Sequence, residues 1–283
     1  MAFTVQDCFK EIGRLEKLLS RTIEGSDVDR INRSEGKPVT VSDDTIEVLT
    51  RSLYYSKLSE GAFDVSIGKV SSLYNFRDGK ELPDKDLISD AVKHIDYEKI
   101  VIDGNTVTLL DPEMMLDLGA IAKGYISEKL AEYMIDNGIS SGLINLGGNI
   151  VMVGSKRGED FRIGVRNPES ADNTPLGSIK GEDLAIITSG TYERYIMAGD
   201  RIYHHILDPD TGYSAETDLL QVTIIADRAY ASDCDALSTT LLLMGSEKGM
   251  EFIKGIPYAE AVFLKTGGEI LCSSSSSKFE IWS

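Results

Sequence analysis

The stretch EKIVIDGNTVTLL, Glu98–Leu110, decides the fold class. Two β-rich runs flank Asp-Gly-Asn, so the segment reads as an antiparallel hairpin. Before it, VSDDTIEVLTRSLYYSKLSEG (Val41–Gly61) carries a Ser/Asp N-cap and a Gly stop, the marks of a helix. Ser20–Pro38 is polar, with Gly and Pro, and reads as a loop with room for one helical turn. Val5, Cys8, Phe9, Ile12, Leu15 and Leu19 recur at helical spacing, which predicts an amphipathic helix over Val5–Ser20.

After the hairpin, Ala120–Asn137 shows a helical pattern ended by Gly138. SGLINLGGNIVMVGS (Ser141–Ser155) and FRIGVRNP (Phe161–Pro168) read as strands, with glycine pairs where backbone bends or approaches something closely. DLAIITSGTYERYIM (Asp183–Met197) reads as a strand, a Ser-Gly turn and a further extended run. DLLQVTIIAD (Asp218–Asp227) and AEAVFLK (Ala259–Lys265) are strands, and Asp233–Gly245 and Ser246–Ile253 are helices. Helices and hairpins segregate more than they alternate, which predicts an α+β fold with helices packed on an antiparallel-sheet core. A length of 283 residues suits one large domain or two modest ones.

The net charge is −17. Such a surface repels phosphate backbones and anionic lipid, so nucleic acid is not an expected partner. An anionic ligand would need local help from a cation, a lysine or a helix N-terminus. Three cysteines, Cys8, Cys234 and Cys272, form no C-x-x-C, and no disulfide framework or zinc site is expected from them. No apolar run is long enough to span a bilayer, and the opening residues lack a signal-peptide core. Localisation stays open between a cytoplasmic protein and one whose leader has been removed.

Five segments offer chemistry. In LDLGAIAKGY (Leu116–Tyr125) a helix starts near Ala120 with Lys123 in its first turn, against the macrodipole, as if an anion waited there. A capped helix with a solvated lysine is the plainer reading, and the spacing is not that of a Walker A loop. In SDCDALSTTLLLMG (Ser232–Gly245), Asp235 and Thr239 stand at i and i+4 on a helix, with Ser238 at i+3. A carboxylate beside hydroxyls suits Mg²⁺ rather than zinc. By spacing alone, an N-capping Asp with a mid-helix Thr is favoured. SEGAFDVSIGKVSSLYNF (Ser59–Phe76) is either a loop that wraps a flat ring or one that tucks its aromatics into the core. TSGTYERY (Thr188–Tyr195) places a Ser-Gly turn after a strand, where backbone N–H groups can meet a phosphate. Finally YHHILDPDTGY (Tyr203–Tyr213) holds two of the three histidines side by side. The pair is a metal site, an acid–base group or a structural element, and no His or Cys cluster completes a tetrahedral site around it.

Taken in order, the blocks SEGAFDVSIG, LDLGAIAKGY, INLGGNI, ITSGTYERY, HHILDPDTGY and SDCDALSTTLLLMG resemble the ApbE family of FAD:protein FMN transferases. The match runs from about Leu18 to the end and treats 1–283 as a single domain. The resemblance implies a T-fold-like α+β architecture. It implies transfer of the FMN half of FAD to a Ser or Thr hydroxyl of an acceptor flavoprotein, with Mg²⁺ as cofactor and AMP released. It implies metal ligation by Asp235 and Thr239, by Ser238 where some members carry Asp, and by the Ala120 backbone carbonyl. It implies FAD contacts at Asp117, Lys123, Ala62, Phe63, Asp64, Ser189 and Leu207, and at Thr22 where other members place a Tyr. His205 matches the functional histidine, and His204 matches no required position. Family members usually open with a strand carrying Met-Gly-Thr, whose Met touches FAD. Here the first helix is expected at about Val5 and no Met-Gly-Thr occurs. Two other activities stay open: an Mg²⁺-dependent FAD pyrophosphatase, and a flavin-binding module without chemistry.

Overall fold

The computed structural model describes residues 4–79, 81–199, 201–274 and 278–282. The chain divides into two compact units. One comprises Met1–Cys8, Lys123–Tyr192 and Thr217–Ser283, and the other Phe9–Ala122 and Glu193–Glu216.

The latter unit holds α1 (Val5–Leu19, whose first turn lies in the other unit), α2 (Asp27–Asn32), β1 (Val39–Thr40), α3 (Asp43–Leu58), α4 (Gly68–Leu73), α5 (Lys85–Val92), β2 (Ile100–Asp103) and β3 (Thr106–Leu109). β2 and β3 form the expected hairpin, antiparallel with Ile100 opposite Leu109, and β1 adds on the far side of β3. Ser42 caps α3 by accepting the Thr45 amide, as the Ser-Asp-Asp signal predicts. Short α4 is not expected from the sequence, which reads as loop there. Its packing explains it. A Cβ on Gly68 would lie 2.6 Å from the Leu116 and Met115 carbonyl oxygens, so only glycine lets the helix start against that backbone. Gly68 N–H donates to the Met115 carbonyl at 2.9 Å.

The same unit receives a later hairpin, β9 (Tyr195–Ala198) and β10 (Arg201–His204), and the turn that follows it. That turn closes on itself. The Asp208 amide donates to Tyr213, the Gly212 amide to Asp208, and the Asp208 carboxylate accepts the amides of Asp210 and Thr211. Ile196 and Leu207 then join Val70, Tyr74, Ile88 and Ala91 in one apolar core.

The other unit is built on a six-stranded antiparallel sheet in the order β13-β12-β11-β8-β5-β4. Its members are β4 (Ser141–Leu146), β5 (Asn149–Gly154), β8 (Leu184–Gly190), β11 (Leu219–Asp227), β12 (Ala259–Lys265) and β13 (Ile270–Cys272). A three-stranded sheet of β6 (Phe161–Val165), β7 (Gly177–Gly181) and β14 (Phe279–Ile281) is ordered β14-β7-β6. Residues of both sheets, among them Met152, Ile179, Ile186, Ile225, Val262 and Phe279, make a separate apolar core. Two helices complete the unit: α6 (Ala122–Asp136) and α7 (Ala231–Lys254), the latter packed along β8 and β11. α7 breaks at Gly245, whose φ is +76°, and Asp218 accepts the Ser246 amide and hydroxyl where helical geometry resumes. No helix among the described residues is long and apolar enough to cross a membrane.

Gly212 is a position where the unit that carries the β9–β10 hairpin leaves no room for a side chain. Its φ is +72°, and a Cβ there would lie 2.7 Å from Ile88 and from Val92. Gly212→Ala therefore combines left-handed strain with overpacking and is expected to destabilise by about 2–4 kcal/mol. A lowered urea midpoint with unchanged slope is the expected reading, and an unchanged midpoint would show that the turn yields freely.

Candidate functional site

Of the three carboxylates singled out in the sequence, Asp235 lies in one unit and Asp117 and Asp64 in the other.

Asp235 sits on the first turns of α7 and its side chain is only 1% exposed. Its Oδ1 accepts from Lys123 Nζ at 3.0 Å and its Oδ2 from the Gly124 amide at 2.8 Å. Both donors belong to the start of α6. A lysine in a first helical turn opposes the macrodipole, and its counter-charge is this carboxylate. Gly124 makes the approach possible, since a Cβ would come within 2.6 Å of the Asp235 Cβ and 2.3 Å of the Ala231 oxygen. Glu128, four residues on and buried, accepts the Ser232 amide at 3.0 Å and so caps α7 from α6.

Hydroxyls gather one turn further along α7. Ser189 Oγ lies 2.8 Å from Ser238 Oγ and 3.3 Å from Thr239 Oγ1, and Ser238 donates to the Asp235 carbonyl at 2.9 Å. Ser189 is not in a turn. It lies within β8, register-paired with Val222, because the strand runs on through Gly190. The Ser-Gly turn expected to present its amides to a phosphate is thus replaced by a strand that presents a hydroxyl. Asp235, Ser238 and Thr239 on α7, with Ser189 beside the two hydroxyls, offer oxygen donors only, the kind that suits a hard cation such as Mg²⁺. The spacing of Asp235, Ser238 and Thr239 was legible in sequence. The approach of Ser189, 49 residues from Ser238, was not, and neither were the roles of Gly124 and Glu128.

In the other unit Asp117 accepts from three groups. Arg21 Nε reaches its Oδ2 at 2.8 Å, Ser71 Oγ the same oxygen at 2.6 Å, and the Gly119 amide its Oδ1 at 2.9 Å. Arg21 and Ser71 carried no sequence signal. Thr22, next to Arg21, is exposed and exchanges a hydroxyl contact with Ser20 at 3.1 Å. Ala120 lies between Asp117 and α6 and is partly exposed.

The Ala62-Phe63-Asp64 stretch is inward-facing. Phe63 is 2% exposed and meets Tyr55 edge-on, with centroids 6.5 Å apart. Asp64 accepts the Ser66 amide and hydroxyl and the Tyr97 amide. Burial still pushes its carboxyl above the usual range. Tyr74 is also buried, with its hydroxyl donating to the Gly212 carbonyl at 2.8 Å. Of the two sequence readings of this stretch, the structure supports aromatics tucked into the core, with Phe76 stacked on Tyr74 at 4.9 Å. Leu207 is likewise core, at 6% exposure.

The histidine pair splits. His204 is buried, its Nε2 lies 3.1 Å from the Ala215 carbonyl, and its Nδ1 has no hydrogen-bond partner. His205 is half-buried at the exit of β10. Its amide and its Nδ1 both face the Arg194 carbonyl, at 3.0 and 3.3 Å. That bond favours the tautomer with hydrogen on Nδ1 and the lone pair on Nε2. Phe76 meets the ring edge-on at 6.4 Å.

The ApbE family model matches residues 2–263. A protein named FAD:protein FMN transferase from Treponema pallidum is 31% identical over 278 residues, covering 92% of this chain and 76% of the relative. Another of that name from Klebsiella pneumoniae is 33% identical over 270 residues, covering 94% and 83%. The ApbE protein of Thermotoga maritima superposes with a TM-score of 0.86 at 30% identity, over 94% of this chain and 87% of that one. The flavin transferase ApbE from Vibrio cholerae gives 0.85 at 28% identity, over 99% and 92%. The α+β fold expected from the sequence is the fold of these structures.

Burial, opposed by its backbone hydrogen bonds, lowers the proton affinity of His204 below the ordinary value of 6.5. Above that pH both folded and unfolded chains hold it neutral. As the pH falls through 6.5 the unfolded chain takes up a proton that the folded chain refuses. Stability falls until the depressed folded value is reached, by at most about 1.4 kcal/mol per pH unit. His204→Gln should flatten the dependence of Tm on pH between neutral and mildly acidic solution. An identical slope in the variant would assign the loss to other groups.

Proposed function

The chain belongs to the ApbE family, and we propose that it is a transferase that moves the FMN half of FAD onto a Ser or Thr hydroxyl of an acceptor flavoprotein, with AMP released. The observation that carries this reading is the oxygen set of Asp235, Ser189, Ser238 and Thr239 with Lys123 at its edge. It joins hard-cation ligands to an ammonium, which is what an anionic diphosphate needs from a protein of net charge −17. The 1–283 chain is read as one functional domain, since the family match extends over both units.

Asp235 and Thr239, with Ser238 beside them, would hold Mg²⁺, to which the family pattern adds the Ala120 carbonyl, and the ion would supply charge neutralisation on the diphosphate. Lys123 neutralises Asp235 in this structure, and a diphosphate offers its ammonium a second anion to support. The acceptor hydroxyl forms the new phosphoester bond to the FMN phosphorus. The bond from that phosphorus to the bridging oxygen breaks, and AMP leaves with the oxygen. His205 takes the hydroxyl proton on Nε2, while the Arg194 carbonyl holds the ring through Nδ1. Asp117, Thr22, Ala62, Phe63, Asp64 and Leu207 are assigned to FAD by the family pattern. Phe63 and Leu207 have their side chains in the core, so their share falls to backbone groups.

Incubation with FAD, Mg²⁺ and an acceptor peptide, read by mass spectrometry, tests the reading. A peptide heavier by FMN, with AMP released, is expected. Free FMN and AMP with an unmodified peptide would replace it with FAD hydrolysis, and no AMP at all would leave a binding module. His205→Ala should keep FAD and Mg²⁺ binding and lose about 10²–10⁴-fold in transfer. Full transfer in that variant would remove His205 from the mechanism. Asp235→Asn should lose Mg²⁺-dependent turnover, and an unaltered Mg²⁺ dependence would move the metal elsewhere.

A further inference from the structure

Another cluster stands in the unit that carries Asp117, and the transfer reading does not use it. Asp90 lies in the last turn of α5, His94 just beyond that helix, and Glu113 in the loop after β3. One ligand atom from each lies within 4.8 Å of the other two. His94 Nδ1 is 2.8 Å from Asp111 Oδ2, and His94 Nε2 is 3.7 Å from Glu113 Oε2. Asp111 orders both partners, because its other oxygen accepts the Glu113 amide at 2.9 Å.

The tautomer makes this arrangement informative. An Nδ1–H that donates to Asp111 leaves the lone pair of a neutral ring on Nε2, pointed toward a carboxylate. A lone pair facing a carboxylate oxygen is repulsive unless a cation stands between them, either a proton or a metal ion. Carboxylate–histidine–metal triads have this construction, with the outer carboxylate fixing the ring so that the inner nitrogen ligates. Bonds of about 2.1 Å to a tetrahedral ion set neighbouring ligand atoms roughly 3.4 Å apart, close to the His94–Glu113 separation. An imidazole with two carboxylates suits Zn²⁺ or Co²⁺, whereas Mg²⁺ prefers oxygen alone.

We propose that Asp90, His94 and Glu113 form a binding site for a divalent transition-metal ion of the zinc type, oriented by Asp111 and separate from the oxygen set around Asp235. Lys69 is its built-in competitor. Its ammonium lies 2.7 Å from Glu113 and 3.6 Å from Asp90. The carboxylates are therefore balanced without metal, and an ion must displace the lysine to enter. Because Lys69 belongs to α4, Asp90 to α5 and Glu113 to the loop that leads to Asp117, a bound ion would clamp that loop to α5. The proposal is independent of the transferase reading.

The test is calorimetric titration of the full, chelator-treated chain with Zn²⁺ in saturating Mg²⁺, repeated with Co²⁺ and visible absorption. One equivalent should bind, with the intense absorption of four-coordinate Co²⁺. Glu113→Gln, an exposed position that should not perturb folding, and His94→Gln should each weaken binding at least tenfold, on the order of the loss from altered metal shells. Asp111→Asn should weaken it about 10–100-fold, and Lys69→Met should tighten it. Zn²⁺ should raise the Tm of the parent chain and not that of Glu113→Gln. Affinity in Glu113→Gln and His94→Gln within about twofold of the parent would overturn the site. So would Zn²⁺ binding that saturating Mg²⁺ abolishes, or a titration that shows no binding and leaves His94 in a proton-bridged ion pair only.

Discussion

The buried Asp235 carboxylate is the constraint on which the unit built on the six-stranded sheet depends. An ionised group so deeply placed is costly unless its oxygens are taken up by good donors, and removal of one partner typically costs about 3–5 kcal/mol. Here both donors, the Lys123 ammonium and the Gly124 amide, come from the start of one helix. The carboxylate therefore fixes where α6 begins with respect to α7. The absence of a side chain at Gly124 allows the distance, and Glu128 adds a further tie between the helices through the Ser232 amide. α7 in turn lies on β8 and β11, so the order imposed by the sheet passes through one helix to the acid and from the acid to the next helix.

The other unit solves a similar problem with backbone. The segment around Val65–Gly68 is stitched to Met115–Asp117 by two amide bonds, Asp117 to Val65 and Gly68 to Met115. The Asp117 side chain then gathers Arg21 and Ser71 from two other elements. In both units an acid assigned to the chemistry is already matched by a basic side chain. Compensation at these two positions lowers the negative field of each acid.

Much of the architecture could be read from sequence where signals were local. The Asp-Gly-Asn hairpin, the Ser42 cap, the Gly245 break and the apolar runs of β8 and β11 rest on neighbours in the chain. Neither α4 nor the β9–β10 hairpin was legible. The helix depends on a glycine fitting under a distant carbonyl, and the hairpin has the pattern of a single extended run until Gly199 turns it. The site divides in the same way. Asp235, Ser238 and Thr239 share a helix face by spacing, whereas the pairing of Lys123 with Asp235 crosses 112 residues and that of Ser189 with Ser238 crosses 49. Phe63 and Leu207 were not legible as core side chains, since an apolar residue inside a functional block has the same sequence signature whether it lines a ligand or fills a core.

The break at Gly245 bears on how this arrangement holds under disturbance. A continuous helix behaves as a rod and carries torque along its length. Two freely chosen torsions at a glycine, followed by a fresh cap from Asp218, interrupt that transmission. The heading of Asp235 and Thr239 is then set by the strands beneath them, and Ser246–Lys254, where Gly249 and Ile253 are buried, is held by its own packing rather than by continuity of the rod.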